Sequence, residues 1–69
     1  MIKIDYHIYE IRTEKKMTLR DLSEKSGISK SQINDIENGF KHPSVLTLCE
    51  LAYALDVQPE SLFSWSCPQ

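Results

Sequence analysis

Residues 17–39 read MTLRDLSEKSGISKSQINDIENG, a run that carries the start and stop signals of two short helices with almost nothing between them. Thr18 can cap the first helix, Asp21 stands where a capping-box partner belongs, and Met17 can staple onto Leu22. Gly27 suits the left-handed residue that ends a helix. The second helix repeats the grammar. Ser29 caps, Gln32 completes the box, Ile28 staples onto Ile33, and Asn38-Gly39 stops it. Only Ser26, Gly27, Ile28 and the cap separate the two helices, so they must cross sharply.

Around this pair the apolar spacing is helical, and no strand alternation shows beyond Ile2 and Ile4. Ile8 and Ile11 predict a first helix from about Asp5 to Lys16, with Asp5 as N-cap. Pro43-Ser44 opens a fourth, with Val45, Leu48, Leu51, Ala52 and Leu55 as its core stripe. Pro59 fits the first position of a short fifth helix, onto which Val57 can staple through Leu62 while Phe63 adds apolar area. The expectation is therefore an all-α, compact five-helix domain spanning residues 1–69. Residues 1–4 are expected as an N-terminal extension and 64–69 as a short tail.

A chain of 69 residues makes one small core. Its two cysteines, Cys49 and Cys67, form no disulfide framework and no Cys-x-x-Cys pair, which excludes zinc ribbons and thioredoxin-like redox motifs. Free thiols point to a reducing, cytoplasmic setting. The start, Met-Ile-Lys-Ile-Asp, predicts no signal peptide, and no run is long enough to span a membrane. Net charge is −2, but its distribution is uneven. All eight Lys and Arg residues fall within 3–41, against seven acids, whereas 42–69 carry three acids and no Lys or Arg. The positive charge thus sits on the half that holds the paired helices.

The pattern Ile8-x-x-Ile11-Arg12, Thr18-x-x-x-Leu22, Gly27-Ile28-Ser29-x-x-x-Ile33-x-x-Ile36-Glu37-x-Gly39, with Pro43-Ser44-x-x-Thr47-Leu48-x-x-Leu51-Ala52-x-Ala54-Leu55-x-Val57, resembles the phage-repressor type of helix-turn-helix, the xenobiotic-response-element family. The resemblance covers roughly residues 5–63 and links caps, turn glycine and core. It implies five α-helices, a DNA-binding transcriptional regulator, and usually a dimer on a two-fold operator. By that geometry the N-terminal end of the third helix enters the major groove.

Ile33 and Ile36 turn inward on this helix, which leaves Lys30, Ser31, Gln32, Asn34 and Asp35 for the outside. Lys can donate to guanine O6 and N7, Gln or Asn can bind adenine N6 and N7, and an acid can accept from cytosine N4. These five are the candidate base contacts, with Gln32 divided between base and cap. Candidate phosphate contacts are Thr18, Leu19 and Arg20 at the start of the second helix, Ser29 at the start of the third, and Lys41. Two departures from the family bear on affinity. Leu19 stands where members usually carry a phosphate-binding Gln, and Ser23 stands where most have Ala. A Ser there needs a partner, expected to be a carbonyl one turn back.

Arg12 and Glu37 match an ion pair between the first and third helices of family members, and its expected role is structural. His7 and Glu10 are one turn apart, but two ligands without a third do not make a metal site. No cofactor and no metal is expected. His42 reads as a loop residue and Cys49 as a small semi-buried one. No Ser/His/Asp set, phosphate loop or supported carboxylate pair is present, so no enzymatic activity is expected. Leu46, Cys49 and Tyr53 form a second apolar stripe on the fourth helix. With Phe63 and Trp65 they predict a homodimer through Leu46, Tyr53, Phe63 and Trp65; the competing expectation folds the tail back over Leu46 and Tyr53. Two functions remain from this reading. One is a sequence-specific DNA-binding repressor. The other is a protein-interaction module on the same fold, serving a protein partner, with DNA binding weakened or lost.

Overall fold

A computed structural model describes residues 1–68. The order of elements is β1 (Lys3–Tyr6), α1 (Ile8–Glu14), α2 (Leu19–Ser26), α3 (Lys30–Glu37), α4 (Val45–Leu55), a 3-10 turn (Pro59–Leu62) and β2 (Phe63–Ser66). The all-α, five-helix expectation is corrected in two ways. The fifth helix is a 3-10 turn, with Pro59 at its start as foreseen. The segments expected as extension and tail meet as an antiparallel two-stranded sheet, pairing Lys3 with Ser66, Ile4 with Trp65, Asp5 with Ser64 and Tyr6 with Phe63.

The sheet explains why α1 starts late. Asp5 lies in β1 and caps nothing. The His7 backbone N–H donates to the Leu62 carbonyl at 2.8 Å and continues the ladder. The helix begins at Ile8 and ends at Glu14, short of Lys16. His7 Nε2 also meets Ser64 Oγ at 3.0 Å and its Nδ1 meets Glu10 at 3.3 Å, so this histidine ties α1 to β2. Among the described residues no three potential ligands gather for a metal.

The helix-start signals hold where side chains can act locally. Thr18 accepts from the Asp21 N–H while Asp21 accepts from the Thr18 N–H, a closed capping box. Ser44 caps α4 through the Thr47 N–H. Ser29 accepts from the Gln32 N–H, but Gln32 does not return the bond, so its side chain is not spent on the cap. Gly27 ends α2 at φ +77°. Ser23 departs from expectation. Its hydroxyl donates forward to the Ile28 carbonyl at 2.6 Å, pinning the turn between α2 and α3.

The core gathers Ile8, Leu22, Ile28, Ile33, Ile36, Leu51, Ala52, Ala54, Leu55 and Leu62. Met17, Leu48 and Val57 pack against it in part. Val45, expected in the core stripe, is exposed, as is Cys49. Val45 opens α4, one residue beyond the cap, and the core stripe takes hold only at Leu48 and Leu51.

Candidate nucleic-acid interface

Two turns of helix hold the candidate residues, and the core decides their orientation. Ile33 and Ile36 are fully buried beneath α3, which forces Lys30, Ser31, Gln32 and Asn34 outward. Asp35 is half-buried and meets Lys41 Nζ at 3.6 Å. This contact was not legible in the sequence. It partly neutralises the one acid on the outer face and shares out a cation expected to serve phosphate alone. Asn34 is held from below, because Asn38 Nδ2 donates to its carbonyl at 2.8 Å and to its Oδ1 at 3.2 Å.

At the start of α2 the Thr18 hydroxyl oxygen is engaged by the Asp21 N–H. The Leu19 and Arg20 N–H groups head the helix, where a short helix leaves its first donors without internal acceptors. Leu19 packs its side chain against the core, so only its backbone is on offer to a phosphate. Arg20 is exposed. Ser29 and Lys30 present the start of α3 in the same way.

Asp21 lies below the usual carboxylate range, chiefly because the Thr18 N–H donates to it, with smaller help from the Thr18 hydroxyl, Arg20 and Lys25. It therefore keeps its charge, and with it the cap, at the head of α2.

Arg12 links the pair of helices to the rest of the fold. Its Nε donates to Glu37 Oε2 at 2.8 Å and its Nη2 to Oε1 at 3.2 Å, a two-point clasp between α1 and α3. Nη1 donates to the Met17 carbonyl at 3.0 Å, and the guanidinium lies 5.2 Å from the centre of the Tyr9 ring. Donating to the Glu37 carboxylate raises the Arg12 pKa above its ordinary value, against desolvation. Among the described residues Arg12 is the one buried charged residue, at 8% exposure. The clasp forms part of a groove lined by Tyr9, Arg12, Leu19, Asn34, Glu37 and Asn38.

A short, sharply crossed pair of helices, the second with a polar outer face and a free amino end, is the geometry that enters a DNA groove. The helix-turn-helix family model matches residues 8–62. The chain belongs to the helix-turn-helix family. Among its relatives, an HTH-type transcriptional regulator of Sinorhizobium fredii is 40% identical over 47 residues, 68% of this chain and 61% of that protein. The immunity repressor protein of Bacillus phage phi105 is 37% identical over 59 residues, 86% of this chain and 41% of the repressor. The chain thus spans less than two thirds of either relative. An SPbeta prophage-derived HTH-type transcriptional regulator of Bacillus subtilis is 33% identical across 91% of this chain and 80% of its own length. The restriction-modification controller protein C.AhdI from Aeromonas hydrophila superposes with a TM-score of 0.76 at 31% identity, covering 78% of this chain and 82% of the controller.

Of the other residues singled out by sequence, Leu46 and Tyr53 stand exposed on α4, at 70% and 86%. The tail does not fold back over them. Instead β2 joins β1, which half-buries Phe63 and leaves Trp65 at 65% exposure beside Ile4. His42, read as a plain loop residue, accepts or donates through Nδ1 to the Tyr6 hydroxyl at 2.8 Å and fastens the loop before α4 to the sheet. Among the described residues no helix is long and apolar enough to cross a membrane.

Proposed function

We propose that this chain is a cytoplasmic DNA-binding transcriptional regulator, a repressor that acts by occupying its operator. It is a regulator and not an enzyme. The observation that carries this reading is the outer face of α3, where exposed Lys30, Ser31, Gln32 and Asn34 sit above buried Ile33 and Ile36. Lys30, Ser31 and Gln32 lie nearest the base edges, with Asn34 and Asp35 a turn further along. Gln32 is available because its side chain makes no capping bond. Thr18, the Leu19 N–H, Arg20, Ser29 and Lys41 bind the flanking phosphates. The clasp of Arg12 and Glu37 sets the angle of α3 and makes no base contact.

The regulator works as a homodimer through Leu46 and Tyr53 of α4, with Phe63 and Trp65 at the rim. Support comes from apolar side chains that the fold leaves in water. Two-fold symmetry then sets two copies of α3 about one DNA turn apart, roughly 34 Å. Sedimentation of the wild type and of Tyr53→Glu tests the interface. A wild type that stays monomeric with and without operator DNA overturns it.

A second reading, a module for a protein partner, draws on Leu19 and on the net charge of −2. Selection from random duplexes separates the two. The regulator enriches one pseudopalindromic sequence, whereas an unenriched pool decides for the module.

A further inference from the structure

The edge of β1 is an unfinished surface. β1 pairs with β2 on one side only, and the sheet ends there. The bond from the His7 N–H to the Leu62 carbonyl fixes which residues face inward. Hydrogen bonding alternates along an antiparallel strand. Lys3, Asp5 and His7 therefore turn their backbone groups toward β2, and Ile2, Ile4 and Tyr6 turn theirs to the open edge. Side chains alternate with the same period. Ile4 and Tyr6 share a face with Trp65 and Phe63, their cross-strand partners, whereas Lys3 and Asp5 share the opposite face with Ser66 and Ser64. The apolar face is buried only at its Tyr6–Phe63 end. Ile2, Ile4 and Trp65 continue it into solvent, at 53%, 37% and 65% exposure.

We infer that this edge pairs with the same edge of a second copy, joining two sheets into one of four strands in the order β2-β1-β1-β2. Charge selects both the occupant and the register. Antiparallel self-pairing must place outward-facing residues opposite one another, which allows centres at Lys3, Ile4 or Asp5 only. Centring on Lys3 sets two lysines face to face, and centring on Asp5 sets two aspartates. Centring on Ile4 places Lys3 of each copy across from Asp5 of the other, twice, in the closely spaced non-hydrogen-bonded pairs. Ile4 then exchanges both backbone bonds with its own copy, and Ile2 does so with Tyr6. Lys3 and Asp5 have no ion-pair partner among the described residues of their own chain, so this pairing displaces none. The new sheet also carries Ile4 and Trp65 of both copies on one apolar face. An edge strand with these charges rejects the off-register alternatives, the usual device against unwanted edge pairing.

The inference rests on the reading of the chain as a self-associating regulator, and it adds a surface distinct from α4. Sedimentation equilibrium separates the two. In the Tyr53→Glu background, which removes the α4 contact, association through β1 persists. There Lys3→Asp or Asp5→Lys weakens it tenfold or more, and the double variant Lys3→Asp/Asp5→Lys restores it. Mixing the two single variants restores it as well, because each strand then carries one sign of charge. That rescue cannot come from a misfolded chain. Ile4→Pro abolishes association while leaving the β1–β2 bonds, since its lost N–H faces outward. If Tyr53→Glu is monomeric at every concentration, or if Lys3→Asp and Ile4→Pro associate as the parent does, the β1 contact is overturned while the α4 dimer can stand. A monomeric wild type overturns both.

Discussion

Removing the carboxylate of Glu37 strands a guanidinium that the fold has already enclosed. Arg12 is 8% exposed, and its remaining partners would be one carbonyl at 3.0 Å and the face of Tyr9. Breaking one side of a buried pair costs about 3–5 kcal/mol, because the other charge stays buried without compensation. A chain of 69 residues has only ~3–10 kcal/mol of stability in total. Glu37→Ala or Arg12→Ala is therefore expected to remove a third or more of it. The double variant should cost less than the sum of the singles by about 1–3 kcal/mol, since no charge is then left alone. Replacing both by apolar residues of similar volume, Arg12→Met with Glu37→Leu, should recover much of the loss. Urea unfolding followed by far-ultraviolet circular dichroism gives all four corners of the cycle. Singles that each cost below ~1 kcal/mol, or effects additive within ~0.5 kcal/mol, would refute the coupling.

Other outcomes follow from the same geometry. Lys30→Ala should weaken binding to the preferred duplex by about 1–3 kcal/mol and relax preference at one base position, read by titration against single-base variants; unchanged affinity and preference would misplace α3. Gly27→Ala should cost about 1–2 kcal/mol in thermal unfolding, because no atom lies within 4 Å of the new Cβ and the penalty is the left-handed backbone alone. Asp21 has a lowered pKa in the folded chain, so its contribution is complete above the ordinary carboxylate value and is lost as pH falls through the folded one. Asp21→Asn should therefore flatten the acid limb of a stability-against-pH curve, and an unchanged limb would remove Asp21 from the capping account.

The parts of the fold that were legible are those set by neighbours in sequence. Thr18, Ser29 and Ser44 cap the helices they were expected to cap, since a cap needs only the next three residues. Gly27 and the inward isoleucines follow from the same short range. The sheet was not legible. Its strands are four residues each and lie at opposite ends of the chain, and Phe63-Ser64-Trp65-Ser66 alone is too brief to declare an alternation. Missing β1 also misplaced the start of α1, because Asp5 suits a cap by type but was already committed to pairing with Ser64. Ser23 shows the same limit on a smaller scale. Its carbonyl one turn back is held by the helix, and the Ile28 carbonyl, brought near only by the turn, takes the hydroxyl instead. On α3, the outward placement of Lys30, Ser31 and Asn34 could be read from periodicity. The contact between Lys41 and Asp35 could not, because it crosses the loop after α3.

Salt dependence is the most direct test of the claim that α3 and the head of α2 sit on DNA. On the proposed placement, Arg20 and Lys41 neutralise phosphates and Lys30 displaces counterions from the groove, about two to three charges per chain or four to six for a dimer. The logarithm of the binding constant on the selected duplex should then fall against the logarithm of salt concentration with a slope of roughly −3.5 to −5.5. Arg20→Ala should make that slope shallower by about two for a dimer while leaving the preferred sequence unchanged. A slope near zero, or a slope untouched by Arg20→Ala and Lys30→Ala together, would contradict the placement of these helices on the phosphate backbone.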